Sequence, residues 1–82
     1  MSGYGDVRTG RMLRVLKWLQ NHKGVEIVQG GRHNIKVKCI HTGETYPIAS
    51  SHPTVNKHIV QDFQKWLVKN EVCTKDEFDA RL

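Results

Sequence analysis

The turn Gly30-Gly31-Arg32-His33 places a histidine and an arginine directly after two glycines. Glycine has no side chain, so a phosphate can approach the backbone closely there. An imidazole has an ordinary pKa of about 6.5 and exchanges a proton near neutral pH. RNA supplies its own nucleophile, the 2′-hydroxyl, so a protein that moves protons and stabilises phosphate charge can cleave it without metal. We therefore take His33 as a candidate general acid or base and Arg32 as a candidate phosphate ligand.

Other basic side chains could bind the phosphates of the same polyanion. Arg11 and Arg14 belong to a stripe beside the apolar face of the first helix, and Trp18 adds a ring that could stack on a base. Solvated arginines with a tryptophan shielding the core edge are the alternative interpretation. Strand alternation turns Lys36 and Lys38 away from His33, which makes them weaker candidates for one shared site. The full set of candidate RNA-binding residues is Arg11, Arg14, Trp18, Arg32, Lys36, Lys38 and Lys57.

The charge of the chain is consistent with a polyanionic partner. The 82 residues include 13 Lys and Arg against 8 Asp and Glu, a formal net charge of +5. The excess lies in the first two thirds, because residues 59–82 carry four basic and five acidic side chains. Such a field attracts nucleic acid or an acidic protein surface. A net charge that only keeps a small protein in solution is the alternative.

Several classes of protein are disfavoured. The apolar runs are far shorter than the roughly 20 residues that cross a bilayer, and the N-terminus lacks a secretion signal, so we expect a cytoplasmic protein without a membrane partner. Cys39 and Cys73 are expected to be free thiols. Cys39 and His41 are two possible metal ligands, but no second close pair completes a tetrahedral set, so no metal or cofactor is expected.

Hydrophobic periodicity predicts the elements that position these residues. Met12, Val15, Leu16 and Leu19 have helical spacing, which predicts a first helix from Arg11 to Lys23-Gly24. Three β-rich segments follow, around residues 25–28, 35–39 and 45–49, and the glycines between the first two indicate a hairpin. Pro47 in the third segment predicts an edge strand, or a proline turned outward.

Helical spacing returns after the third strand. Val55, Ile59, Phe63, Trp66 and Leu67 share one side of a second predicted helix, capped by Thr54 or begun by Pro53. Thr74 and Glu77 have the spacing of a capping box, which predicts a short helix through Arg81. The chain is thus expected to be one α+β domain, residues 1–82, with a core at about 11–68 and an extension at 70–82. Its predicted order is α-β-β-β-α, a three-stranded antiparallel sheet covered on one face by two helices, plus a short C-terminal helix.

Two motifs give the chain a resemblance to a known family. Residues 31–37, Gly-Arg-His-Asn-Ile-Lys-Val, resemble the glycine-x-histidine strand start of HicA mRNA interferases, also called YcfA-like proteins. Residues 46–53, Tyr-Pro-Ile-Ala-Ser-Ser-His-Pro, are similar to the third strand, proline and histidine of that family. The resemblance covers about Arg11 to Val68. It implies a double-stranded RNA-binding-like fold, an endoribonuclease that cleaves mRNA with His33, and a HicB-like antitoxin as partner.

The chain also departs from the family pattern. Many members have a second histidine where this chain has Asn34 and a small Ser or Thr where it has Arg32. His52 falls at a motif position to which we assign no role, and we assign no family counterpart to residues 70–82. Two other interpretations therefore stay open: a non-catalytic double-stranded RNA-binding module, in which His33 is an ordinary turn residue, and a basic protein-interaction domain.

Overall fold

In a computed structural model, residues 5–29, 34–49 and 53–82 are described. The elements in these ranges are β1 (Val7–Arg8), α1 (Thr9–His22), β2 (Val25–Gln29), β3 (Asn34–Cys39), β4 (Thr45–Ala49), β5 (Thr54–Val55), α2 (Lys57–Lys69) and α3 (Lys75–Arg81). The α+β class, the three-stranded antiparallel sheet and the short C-terminal helix predicted from sequence are all confirmed. Within the described ranges, no helix has both the length and the apolar character needed to cross a bilayer.

β3 is the central strand of the sheet, with β2 and β4 antiparallel on either side. Its alternation is regular: Ile35, Val37 and Cys39 are buried, whereas Lys36 and Lys38 are exposed. The register places Ile27 and Tyr46 opposite Val37. One face of the sheet is therefore apolar and the other carries the lysines.

Both helices pack on the apolar face. α1 buries Met12, Val15, Leu16 and Leu19, and α2 buries Val60, Phe63 and Leu67 in the same hydrophobic core. α1 contacts mainly β2, and α2 contacts β4. The chain turns from α1 into β2 through Gly24, whose φ of +70° is a left-handed conformation that favours glycine.

The outer edges of the sheet are poorly suited to pairing with another strand. Cys39 donates its N–H toward the β4 side, to the Glu44 carbonyl, and by alternation the backbone of Lys36 bonds toward β2. Pro47 lies opposite Lys36, so its backbone nitrogen faces away from β3 and the missing N–H costs the sheet no hydrogen bond. The same missing N–H removes a donor from the outer edge of β4. On the other edge, the Ile27 N–H already donates to Gln20 Oε1 at 3.1 Å. The prediction that Pro47 lies in an edge strand is confirmed.

The predicted starts of both large helices need correction. α1 begins at Thr9 rather than Arg11. α2 begins at Lys57 with Asn56 as its cap, so neither Thr54 as cap nor Pro53 as first residue is right. The reason is a short ladder that the periodicity does not reveal: Thr54 and Val55 pair with β1, which keeps them extended.

α3 adds to the core. Thr74 and Glu77 form the expected capping box, with hydrogen bonds of 3.0 and 3.1 Å. Phe78 is fully buried with its ring edge-on to Phe63, and the centroids are 6.0 Å apart. Val72 and Cys73 are buried in the same core. Cys73 and Cys39 are free thiols, as expected.

Candidate nucleic-acid interface

The candidate catalytic residue His33, together with Arg32 and His52, lies outside the described residues. Their sequence neighbours are described, however. Asn34 follows His33 and begins β3, and its cross-strand partner is Ala49, the last residue of β4. Pro53 follows His52 and lies just before β5. The sequence segments that carry the two family motifs therefore both adjoin the same end of the sheet.

The first residues of both large helices lie at this end too. The Thr9 N–H, at the start of α1, donates to the Pro53 carbonyl at 2.9 Å. The Lys57 N–H, at the start of α2, donates to Asp6 Oδ1 at 3.0 Å. We call this region the motif end and define it by Thr9, Asn34, Ala49, Pro53 and Lys57. It brings together residues that are up to 48 positions apart in the sequence.

A cleft of about 310 Å³ opens at the motif end. Its lining is mixed: the carboxylate of Asp6, the polar side chains of Thr54 and Asn56, and the apolar surfaces of Ala49, Pro53, Val55 and Ile59. The cleft therefore adjoins the chain on both sides of residues 50–52. It is the described cavity nearest in sequence to the His52 motif.

Two backbone N–H groups at the start of α2 already have hydrogen-bond partners within the protein. Asp6 accepts from the Lys57 N–H, and Asn56 Oδ1 accepts from the His58 N–H at 2.8 Å. These are two of the backbone donors that a phosphate would otherwise use at a helix N-terminus. A phosphate at this point would have to be bound by the exposed side chain of Lys57 rather than by these two amides.

The candidate residues on α1 differ in how free they are. Arg11 and Arg14 are both exposed, but the Arg11 guanidinium donates to the backbone oxygen of Leu82. Trp18 is half-buried, and the cationic groups of Arg81 and Lys23 lie 4.9 and 5.6 Å from its ring centroid. A base that stacked on Trp18 would have to share or displace these cations. Arg14 is the candidate on α1 that makes no polar contact within the described part of the chain.

Lys36 and Lys38 lie on the opposite side of the molecule from α1 and α2. Both are exposed on the uncovered face of the sheet, as the alternation predicted. We call this surface the open sheet face and define it by Glu26, Val28, Lys36, Lys38, Ile40, Thr45 and Pro47. The described candidate RNA-binding residues are thus spread over the outside of α1, the start of α2 and the open sheet face, and not gathered in one patch.

A second cleft escaped the sequence analysis. It has a volume of about 430 Å³ between β4 and α2 and is lined by Tyr46, His58, Ile59, Gln61, Asp62 and Lys65. The Tyr46 hydroxyl donates to Asp62 Oδ2 at 2.9 Å. Burial, and then this hydrogen bond, raise the pKa of Tyr46 to about 12, so the phenol stays protonated and is no general base at neutral pH. The pair joins residues 16 apart in different elements, so no local pattern announces it.

The described residues include no group of three or more His, Cys, Asp or Glu side chains that could hold a metal ion. The two possible metal ligands noted in the sequence, Cys39 and His41, are in contact: Cys39 Sγ lies 3.4 Å from His41 Nδ1. The Cys39 side chain is fully buried on the face of the sheet that the helices cover. The contact is that of a buried thiol with an exposed imidazole at the end of β3.

In comparisons with known proteins, no family model, curated protein or solved structure matches the chain. The resemblance to the HicA family therefore depends on the two motifs and on the order of the elements.

Proposed function

We propose that this protein is an RNA-binding, metal-independent endoribonuclease of the HicA type, in which His33 transfers the proton and Arg32 binds the phosphate. The observation that carries the proposal is the pairing of Asn34 with Ala49, since it brings the segments of both family motifs to one end of the sheet. The element order α1-β2-β3-β4-α2 adds support, because it is the order of the family's double-stranded RNA-binding-like fold.

The basic groups nearest this end would bind the RNA backbone. Lys57 lies at the start of α2, and Arg11 and Arg14 lie in the first half of α1, whose first residue bonds to Pro53. Attack of the 2′-hydroxyl on the adjacent phosphorus requires removal of its proton and protonation of the leaving 5′-oxygen. One imidazole can serve in either step, and a guanidinium stabilises the added negative charge on the phosphate. The proposal includes mRNA as substrate, the cytoplasm as compartment and a HicB-like antitoxin as partner.

The test compares His33→Ala with His58→Ala in the full chain on single-stranded mRNA. His58 is the matched control because it is an exposed histidine in the described part of the chain, on α2. We expect His33→Ala to abolish cleavage and His58→Ala to retain it, with both melting temperatures close to that of the parent. Cleavage that survives in His33→Ala would reject the assigned role.

Two sequence features favour a second candidate, a non-catalytic RNA-binding module: Asn34 and Arg32 stand where many family members have a histidine and a small residue. In that case the parent protein leaves RNA intact but retards it on a gel, and the retardation weakens steeply as salt is added. Arg14→Gln would then weaken RNA binding, whereas His33→Ala would leave it unchanged. A protein that neither cleaves nor binds RNA at low salt would fit the third interpretation, a basic protein-interaction domain.

A further inference from the structure

The open sheet face has an ordered arrangement of charge and apolar surface. Its cross-strand rows follow from the register: Val28, Lys36 and Pro47 form one row, and Glu26, Lys38 and Thr45 form the next. Ile40 continues the lysine side of β3 just beyond the second row. The two lysines therefore lie along the centre of the face, and aliphatic groups lie beside and beyond them.

Within the described ranges, the lysines of this face have no ion-pair partner. The ion pairs of the described residues are Lys23–Glu77 and Lys75–Asp79, and neither includes Lys36 or Lys38. Glu26 lies opposite Lys38, but the two side chains form no ion pair. Two apolar side chains of the face are also exposed: Val28 is 39% exposed, and Ile40, at 63%, is the most exposed large apolar side chain among the described residues. A face with positive charge at its centre and exposed aliphatic groups beside it is complementary to a partner that carries carboxylates and aliphatic side chains.

The composition of the face favours an acidic polypeptide over RNA. Proteins that bind single-stranded RNA on a sheet stack its bases on aromatic rings. The described aromatic side chains, Trp18, Tyr46, Phe63, Trp66 and Phe78, instead contact the core on the helical side of the sheet. The aliphatic groups of the open sheet face offer a base no flat partner, but they suit Leu, Ile or Val side chains.

Two other occupants fit less well. In a second copy of this chain stacked on the same face, Lys36 and Lys38 would meet each other's like charges, and the lysines outnumber the single glutamate. An added β-strand needs a free edge, but Pro47 removes a donor from one edge and Gln20 caps the other. The partner therefore lies across the face and not beside it.

We propose that the open sheet face binds an acidic protein segment whose carboxylates pair with Lys36 and Lys38 and whose aliphatic side chains cover Val28 and Ile40. This surface shares no residue with the motif end, although Lys36 lies two positions from Asn34 on β3. The inference does not depend on RNA cleavage. It assigns the two lysines to a protein partner and leaves RNA to the other cationic residues.

The experiment titrates two probes separately into the ¹⁵N-labelled full chain and follows backbone amide shifts. One probe is a synthetic helical peptide with Glu and Leu on one face and Gln on the other, and the second is a poly-uridylate oligonucleotide. We expect the peptide to shift the amides of Val28, Lys36 and Lys38 on the open sheet face, and the oligonucleotide to leave these three amides in place. Shifts on this face from the oligonucleotide but not from the peptide would make it a nucleic-acid surface and overturn the proposal, as would no shift from the peptide.

Charge-reversal variants test the role of the lysines. Lys36→Glu combined with Lys38→Glu should weaken peptide binding at least about tenfold, which corresponds to about 1.4 kcal/mol. Lys65→Glu combined with Lys69→Glu makes the same change of net charge on α2 and should leave the affinity within about twofold. Equal affinity in the two reversed proteins would overturn the proposal. If the reversed sheet fails to fold, Lys36→Gln combined with Lys38→Gln serves in its place, with a smaller loss expected.

Discussion

Positively charged side chains differ between two regions of the molecule: those between α1 and α3 have partners within the protein, whereas those on the open sheet face are exposed to solvent. Between the helices, Lys23 bonds to Glu77 Oε2 at 2.7 Å, Arg81 lies over the Trp18 ring, and Arg11 binds the backbone oxygen of Leu82. We call this group the α1–α3 latch. On the sheet, Lys36 and Lys38 have no such partners among the residues that the structure describes. The same residue types hold the helices together in one region and are exposed to solvent in the other.

The difference teaches that net charge alone does not locate a binding surface. Of the candidate residues on α1, Arg11 and Trp18 are engaged by α3, and Arg14 is not. A charge held by a partner within the protein must be released before it can bind a polyanion, so its contribution to affinity is reduced. The availability of each cation is therefore a better guide to a candidate binding surface than the net charge of +5.

The largest expected effect comes from removing the buried aromatic ring by which α3 packs against α2. Phe78 is fully buried against Phe63, so Phe78→Ala leaves a cavity and should lower the free energy of unfolding by about 3–5 kcal/mol. Urea denaturation measures the change. Leu13→Ala is the control, since that side chain is 42% exposed on α1 and should cost much less. Equal losses in the two variants would mean that α3 is not part of the cooperative core.

An intermediate effect that depends on pH is expected at Glu77. The hydrogen bond from Lys23, followed by the bond from the Thr74 backbone, holds the pKa of the Glu77 carboxyl below its ordinary value. A depressed pKa in the folded state favours the ionised form, so this contribution to stability is present at neutral pH. It is lost as the pH falls below about 4.3, the ordinary value, towards the lowered one.

Glu77→Gln keeps a side chain that can complete the capping box but removes the charge. We expect the variant to be less stable than the parent at about pH 7, and the difference to shrink at about pH 3. Urea midpoints at both pH values measure it. Asp76→Asn is the matched control, because Asp76 lies in the same first turn of α3 and pairs with no lysine in the described part of the chain. A pH dependence as large in that control would assign the effect to the helix dipole and not to Lys23.

The sequence predicts those parts of the fold that local patterns determine. The apolar spacing of α1, the alternation of β3, the proline of β4 and the capping box of α3 each depend on residues within a turn or a strand. The same alternation correctly places Lys36 and Lys38 on the face opposite the helices. The register of the sheet then brings together the ends that adjoin the two family motifs, which the order of elements alone leaves open.

The remaining features come from pairs that are distant in sequence. The β1–β5 ladder joins residues about 46–48 positions apart, and it shifts the start of α2 to Lys57. Asn70 is 5% exposed and links the β3–β4 turn to α2 by accepting from Thr42 Oγ1 and donating to Glu44 Oε1. Arg11 meets Leu82 across 71 positions. The periodicity of the sequence does not predict such contacts, because each one depends on how the packed elements are placed relative to one another.

The smallest expected change in stability is on the open sheet face. Lys36→Gln combined with Lys38→Gln should alter the free energy of unfolding by no more than about 0.5 kcal/mol, because both side chains are exposed and form no ion pair with any described residue. Any change should be a slight gain at low salt, where repulsion between two lysines on one strand face is least screened. Glu26 opposite Lys38 offsets part of this repulsion.

Lys23→Gln is the contrast, since it removes the ion pair of the α1–α3 latch and should lower stability. If the sheet variant loses as much stability as Lys23→Gln in urea denaturation, Lys36 and Lys38 support the fold and the distinction between the two regions fails. If the sheet variant keeps its stability, a loss of peptide binding in that variant is due to the missing lysine contacts and not to unfolding.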